Sequence, residues 1–121
     1  MIKSVHHIAI IVSSEESLEF YRTLGFHETF RINRDYDTVV LMDNGSVELN
    51  IFIDSAHPSH PVDKNLPIGV RHFALKVDSL DNEIERLKSD GINVDNISLD
   101  WRGQRYCFIN DYDGITVELH E

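Results

Sequence analysis

Two histidines and two glutamates recur at matched places along this chain, and both residue types are common ligands of divalent metals. His7 opens the segment HIAIIV and His72 opens HFALKV; three of the six positions are identical and two more are apolar exchanges. Glu48 lies in GSVEL and Glu118 in GITVEL, the second with one residue inserted. Such a set has a chemical reason to exist. Two carboxylates facing one cavity repel each other, and burial raises that cost. A divalent cation offsets both effects, and neutral imidazole nitrogen is a common transition-metal ligand. Two imidazoles with two carboxylates leave open positions for water or a chelating substrate. A metal so held polarises a carbonyl oxygen and acidifies the proton beside it, and a weakly held carboxylate can then serve as general base.

The bland reading of each residue is different. A lone His on a strand is more often a surface or hydrogen-bonded residue, and a Glu in an alternating strand is more often solvated. Repetition of both residues in the same order favours the ligand reading. The other histidines lack that support. His6 alternates to the face opposite His7, His27 has no repeat partner, and His57 and His60 sit in a proline-broken stretch that solvent should reach. His120 shares parity with Glu118 and is a candidate to support it. Phe52, Trp101, Tyr106 and Phe108 either line a cavity or pack. Cys107 alternates onto the apolar side as a small core residue.

These residues need strands to hold them. The first part reads as a strand over 5–12 and a helix over about 14–24. Ser13 and Glu16 resemble a capping box, and Gly25 stands at the helix stop. Strands follow at about 27–34, 38–43 and 46–53, with Asn44-Gly45 signalling a type I′ hairpin between the last two. The second part repeats the order: a strand over 70–77, a helix over 80–89 with Leu80, Ile84 and Leu87 on one face, Gly91 as the stop, and strands near 93–97, 104–110 and 115–120. Alternation puts Ile8, Ile10 and Val12 on one face of the first strand and His7, Ala9 and Ile11 on the other. Phe73, Leu75 and Val77 likewise oppose His72, Ala74 and Lys76. Val47, Leu49, Ile51 and Ile53 oppose Glu48, Asn50 and Phe52, while Val117 and Leu119 oppose Thr116, Glu118 and His120. Each part therefore sets one His and one Glu on the same side of its sheet.

The expected fold is α+β: two tandem βαβββ modules whose curved sheets surround a metal-binding cavity. Module one spans about 4–53 and module two about 70–121 of a single domain. They are joined by a linker over about 54–69, which holds all three prolines, Pro58, Pro61 and Pro67.

Composition sets the outer bounds. The chain has 121 residues, enough for one domain with a real core, and a net charge of −10 that argues against a nucleic-acid partner. One cysteine makes neither an intramolecular disulfide nor a thiolate zinc site. No apolar run reaches the roughly 18 residues that span a bilayer, and polar Ser4, His6 and His7 break the first apolar stretch, so no membrane partner and a cytoplasmic location are expected.

The segments HHIAIIV, SLEFYRTLGF, VELNIF, GVRHFALKVDSLDNEIERLKSDGI and FINDYDGITVELHE resemble the vicinal oxygen chelate superfamily of glyoxalases, bleomycin-resistance proteins and dioxygenases over nearly the whole chain. The resemblance implies paired βαβββ units around one divalent metal per chain, held by His7, Glu48, His72 and Glu118. Ni or Zn is expected first, with Co, Mn and Fe compatible. It makes Glu118 the catalytic base, by analogy with glyoxalase I-like members, and implies a homodimer acting on a small molecule. The implied activity is that of a lyase or isomerase taking a proton next to a metal-bound carbonyl. The alternatives are an epimerase or a protein that sequesters an antibiotic or metabolite. Short glyoxalase I enzymes carry Arg and Asn, both contacting glutathione, where this chain has Ile11 and Phe52, which disfavours a glutathione hemithioacetal. The family's D-P-D-G turn is here Asp111-Tyr112-Asp113-Gly114.

Overall fold

The computed structural model describes residues 1–61 and 65–121. The chain divides into two compact units, residues 1–58 and 59–121. Part of the proline-broken segment, residues 62–64, lies outside the described residues.

In the first unit, β1 (Ile8–Val12), α1 (Ser17–Thr23), β2 (His27–Asn33), β3 (Thr38–Asp43) and β4 (Glu48–Ile53) follow in order. They form a mixed four-stranded sheet in the order β1-β4-β3-β2. The second unit repeats this with β5 (Phe73–Lys76), α2 (Leu80–Ser89), β6 (Ser98–Leu99), β7 (Arg105–Asn110) and β8 (Thr116–His120), in the order β5-β8-β7-β6. The expected α+β architecture of two βαβββ modules is present. Among the described residues, no helix is long and apolar enough to cross a membrane.

The outer strands β1 and β5 pair in parallel with β4 and β8, while the remaining pairs are antiparallel. Alternation then sorts each sheet. Ile10, Val12, Val40, Met42, Leu49 and Ile51 are buried in the first unit, as are Leu18, Phe20 and Tyr21 of α1 and Phe26. The Tyr21 ring meets Phe20 edge-on at 5.1 Å and Phe26 at 6.5 Å. In the second unit the buried apolar residues are Ile92, Cys107, Ile109, Val117 and Leu119 with Leu80 and Leu87 of α2.

Four local expectations need correcting. Both outer strands begin later than expected, at Ile8 and Phe73, so His7 and His72 stand one residue before their strands. α1 begins at Ser17, and its N-cap is Glu16 with no side-chain cap bond. Residues 14–16 form a tight turn instead, with Ser17, Leu18 and Glu19 N–H groups donating to the carbonyls of Ser14, Glu15 and Glu16. The Asn44-Gly45 link is not type I′, because that turn needs positive φ at both residues and only Gly45 (φ 90°) has it. The Asn44 side-chain oxygen instead accepts the Ser46 and Val47 N–H groups at 2.9 and 2.8 Å, which makes a longer loop and delays β4 to Glu48. Finally, the strand expected at 93–97 forms only at Ser98–Leu99. α2 matches its expected limits. Ser79 accepts the Asn82 N–H at its start, and Gly91 (φ 84°) follows its end.

Candidate functional site

Register fixes where each module sets its Glu, and the residue before each outer strand is its His. In the first module Ile8 pairs with Leu49; Glu48 opens β4 one residue before that pair, and His7 lies just outside β1. Glu48 pairs on its other side with Asp43, whose Oδ1 is engaged by the Gly45 N–H at 2.6 Å. His7 is exposed, and its Nδ1 lies 2.9 Å from Nδ1 of His6. Alternation alone had sent His6 to the other face. Because β1 begins only at Ile8, strand alternation does not govern the pair.

In the second module Phe73 pairs with Val117, so Glu118 faces Ala74 and His72 approaches it diagonally. Nε2 of His72 stands 3.9 Å from Oε1 of Glu118, with both side chains largely buried. Ala74 is small enough to leave that diagonal open. On the far side Phe108 pairs with Glu118, and its ring lies 5.3 Å from His72. Tyr106 continues the wall at 5.4 Å from Phe108. These two aromatics thus border the pair, whereas Trp101, 92% exposed, stands in solvent.

Two nearby residues acquire roles the sequence only hinted at. His120, on the Glu118 side of β8, sets Nε2 3.2 Å from Asp100 Oδ2 and Nδ1 2.8 Å from the Glu121 carbonyl oxygen. Asp100 escaped sequence reasoning altogether. Its Oδ1 accepts the Arg102 and Gln104 N–H groups at 2.8 and 2.9 Å. Those bonds, led by that of Gln104, hold its carboxyl below the usual range against the opposing effect of burial, with His120 and the Arg102 charge adding to them. The available signal was Asp100 three residues before Gly103, a turn pattern, and Gly103 has φ 78°. His57 pairs with Asp54 at 3.2 Å while staying half exposed. Burial pushes the Cys107 thiol up, as expected of a core cysteine.

Of the four expected donors, the structure brings His72 and Glu118 within 3.9 Å of each other, whereas His7 has His6 as its neighbour and Glu48 opens β4. Among the described residues no group of three or more His, Cys, Asp or Glu side chains stands ready to hold a metal ion. The donor chemistry nevertheless fits a divalent ion. The His72–Glu118 gap is too wide for a hydrogen bond, and an imidazole nitrogen and a carboxylate oxygen left facing each other are donors that would suit a divalent ion.

A repeated βαβββ unit, with a His just before the first strand and a Glu in the last strand of each copy, defines a class of protein. The chain belongs to the glyoxalase/bleomycin resistance protein/dioxygenase superfamily, whose family model matches residues 4–119. It is similar to the Bacillus subtilis (strain 168) protein YwkD, with 38% identity over 129 aligned positions covering 100% of this chain and 98% of that one. Among solved structures it resembles the glyoxalase family protein of Enterococcus faecalis, with a TM-score of 0.91, 32% identity and 98% of each chain covered. A fosfomycin resistance protein, FosX, from Listeria monocytogenes, complexed with Mn(II) and a dihydroxypropylphosphonic acid, shares the fold at a TM-score of 0.78 and 19% identity, covering 99% of this chain and 92% of that one.

Proposed function

We propose that this protein is a divalent-metal-dependent lyase or isomerase that removes a proton next to the carbonyl of a small substrate. His7, Glu48, His72 and Glu118 are the proposed metal donors, drawn from one chain or from two chains of a homodimer. The observation that carries the reading is the His72–Glu118 pair at 3.9 Å, partly buried and walled by Phe108. His7 and Glu48 of the first module supply the same donor types. The Mn(II) complex of the FosX relative supports a metal in this fold, with Ni, Zn, Co, Mn and Fe all suited to nitrogen and oxygen donors.

Within this reading each residue has a task. Lewis-acid polarisation of the substrate carbonyl, the chemistry a divalent cation supplies when bound, acidifies the neighbouring C–H. Glu118 takes that proton on a carboxylate oxygen and returns it at the adjacent carbon or oxygen. His72 and Phe108 are the neighbours of Glu118 in this role, the first at 3.9 Å and the second paired across the sheet. Ile11 and Phe52 pair across β1 and β4 without a charged group of their own, which supports a substrate other than a glutathione adduct.

Tag-free protein should contain about one divalent metal per chain, and His72→Ala should lose most of it. Glu118→Gln should abolish deuterium exchange at the carbon beside the carbonyl in a panel of 2-oxoaldehyde and thiol adducts. Unchanged metal content in His72→Ala together with Glu118→Gln overturns the proposal. A second reading, sequestration of a small molecule without turnover, predicts tight binding with no exchange in any member of the panel.

A further inference from the structure

The side of the first sheet that carries Glu48 continues along β4 through Asn50 to Phe52. Both residues have properties that a metal site does not use. Asn50 Oδ1 is buried and has no hydrogen-bond partner among the described residues. A buried acceptor left unmatched is costly. Phe52 pairs with Ile11 on one side and Val39 on the other, making an apolar row. At the end of that row Arg34 holds its guanidinium 5.6 Å from the Phe52 ring centre.

Arg34 is held in place with one edge left open. Tyr36 lies under its guanidinium at 4.6 Å. Asp37 accepts from Nε and Nη2, each at 2.6 Å. Nη1 makes no hydrogen bond among the described residues, so the edge formed by Nη1 and Nη2 is available. Three residues earlier, Arg31 shows what such an edge takes. It donates to Glu28 through Nε and Nη2 at 3.1 and 2.6 Å, and to Glu15 through Nη1 and Nη2 at 2.8 and 2.6 Å. One guanidinium there serves two carboxylates on two edges, whereas Arg34 has only one of the two.

We propose that Arg34 anchors the substrate by a bidentate pair with a substrate carboxylate, while the apolar part of the substrate lies along Ile11, Phe52 and Val39. Asp37 already balances the Arg34 charge, so selection comes from the planar fork rather than from net attraction. Four residues separate Glu48 from Phe52, about 13 Å of strand. The substrate class is therefore an acid whose carboxylate lies several bonds from the carbonyl that reacts. This assignment of ends rests on the proposed metal role of His7 and Glu48; the carboxylate site itself does not.

The test uses 3-phenylpropionate, with 3-phenylpropanol and 3-phenylpropanamide as controls, titrated into metal-loaded and chelator-treated protein. Side-chain N–H resonances of Arg34 and ring resonances of Phe52 are followed by NMR. The acid should shift both sets in both preparations, and the alcohol and amide should bind at least tenfold more weakly. Arg34→Lys, which keeps a cation but loses the fork, should weaken the acid at least tenfold. Absence of an Arg34 shift in the unmodified protein, equal binding of the alcohol, or full affinity in Arg34→Lys overturns the proposal. His7→Ala separates the two readings, since it should lose metal while leaving 3-phenylpropionate binding intact. If it keeps its metal and still binds the acid, the metal assignment falls and the carboxylate site stands.

Discussion

At the scale of single residues, the second module spends two carboxylates in opposite ways. Glu118 has His72 at 3.9 Å as its ion-pair neighbour, whereas Asp100 accepts from two backbone N–H groups and lies 3.2 Å from His120. That difference has a pH consequence. The folded-state Asp100 carboxyl titrates below its unfolded value of about 3.9, so its contribution to stability is complete above that pH. It is lost as the pH falls through the folded value. Asp100→Asn should therefore lower stability at neutral pH and flatten the acid limb of the stability profile, as measured by urea titration from pH 2 to 7. Cys107 offers a second residue-scale check. It is 1% exposed and its thiol is pushed up by burial, so a disulfide reagent at pH 8 should label it only after denaturation. Rapid labelling of the native protein contradicts the packing described for β7.

At the scale of elements, the two helices show what makes a boundary legible. α2 carries its start and stop in adjacent residues. The Ser79 hydroxyl accepts the Asn82 N–H at 3.3 Å, and the Ile92 N–H returns to the Leu87 carbonyl after Gly91. Ser79→Ala should cost about 1 kcal/mol, the typical loss of such a cap. Gly91→Ala should cost about 1–2 kcal/mol, because a Cβ at φ 84° meets backbone strain although nothing crowds it. Both are read from denaturant midpoints at unchanged slope. α1 has an equally plausible capping signature, Ser13 with Glu16, yet its first turn is the tighter kind and the helix starts at Ser17. Competing local hydrogen bonds decided that boundary, and composition does not rank them. The Asn44 loop gives the same lesson, since a side-chain oxygen took the two N–H groups that a two-residue hairpin would have arranged differently.

At the scale of the whole molecule, each module owns a sheet, a helix and a buried set. Leu87→Ala, a fully buried change on α2, should destabilise by about 2–5 kcal/mol. Metal binding should act on top of that packing. A divalent ion at 100 times its dissociation constant adds about 2.7 kcal/mol, visible as a rise in melting temperature that a chelator reverses. In His72→Ala the rise should disappear.

The repeat, the alternation and the residue types were all written in the sequence, because strand periodicity is local and a duplicated His or Glu needs no partner to be seen. They were enough to expect one His and one Glu from each of two βαβββ modules, although the structure puts His7 and His72 one residue outside their strands. Tertiary structure decided what local pattern does not encode: the diagonal that brings His72 to Glu118, the meeting of His120 with Asp100 twenty residues away, and the delivery of Arg34 from a hairpin to Phe52. Each depends on cross-strand register and loop conformation. Those are set by hydrogen bonds between distant backbone segments and not by the identity of neighbours in the chain.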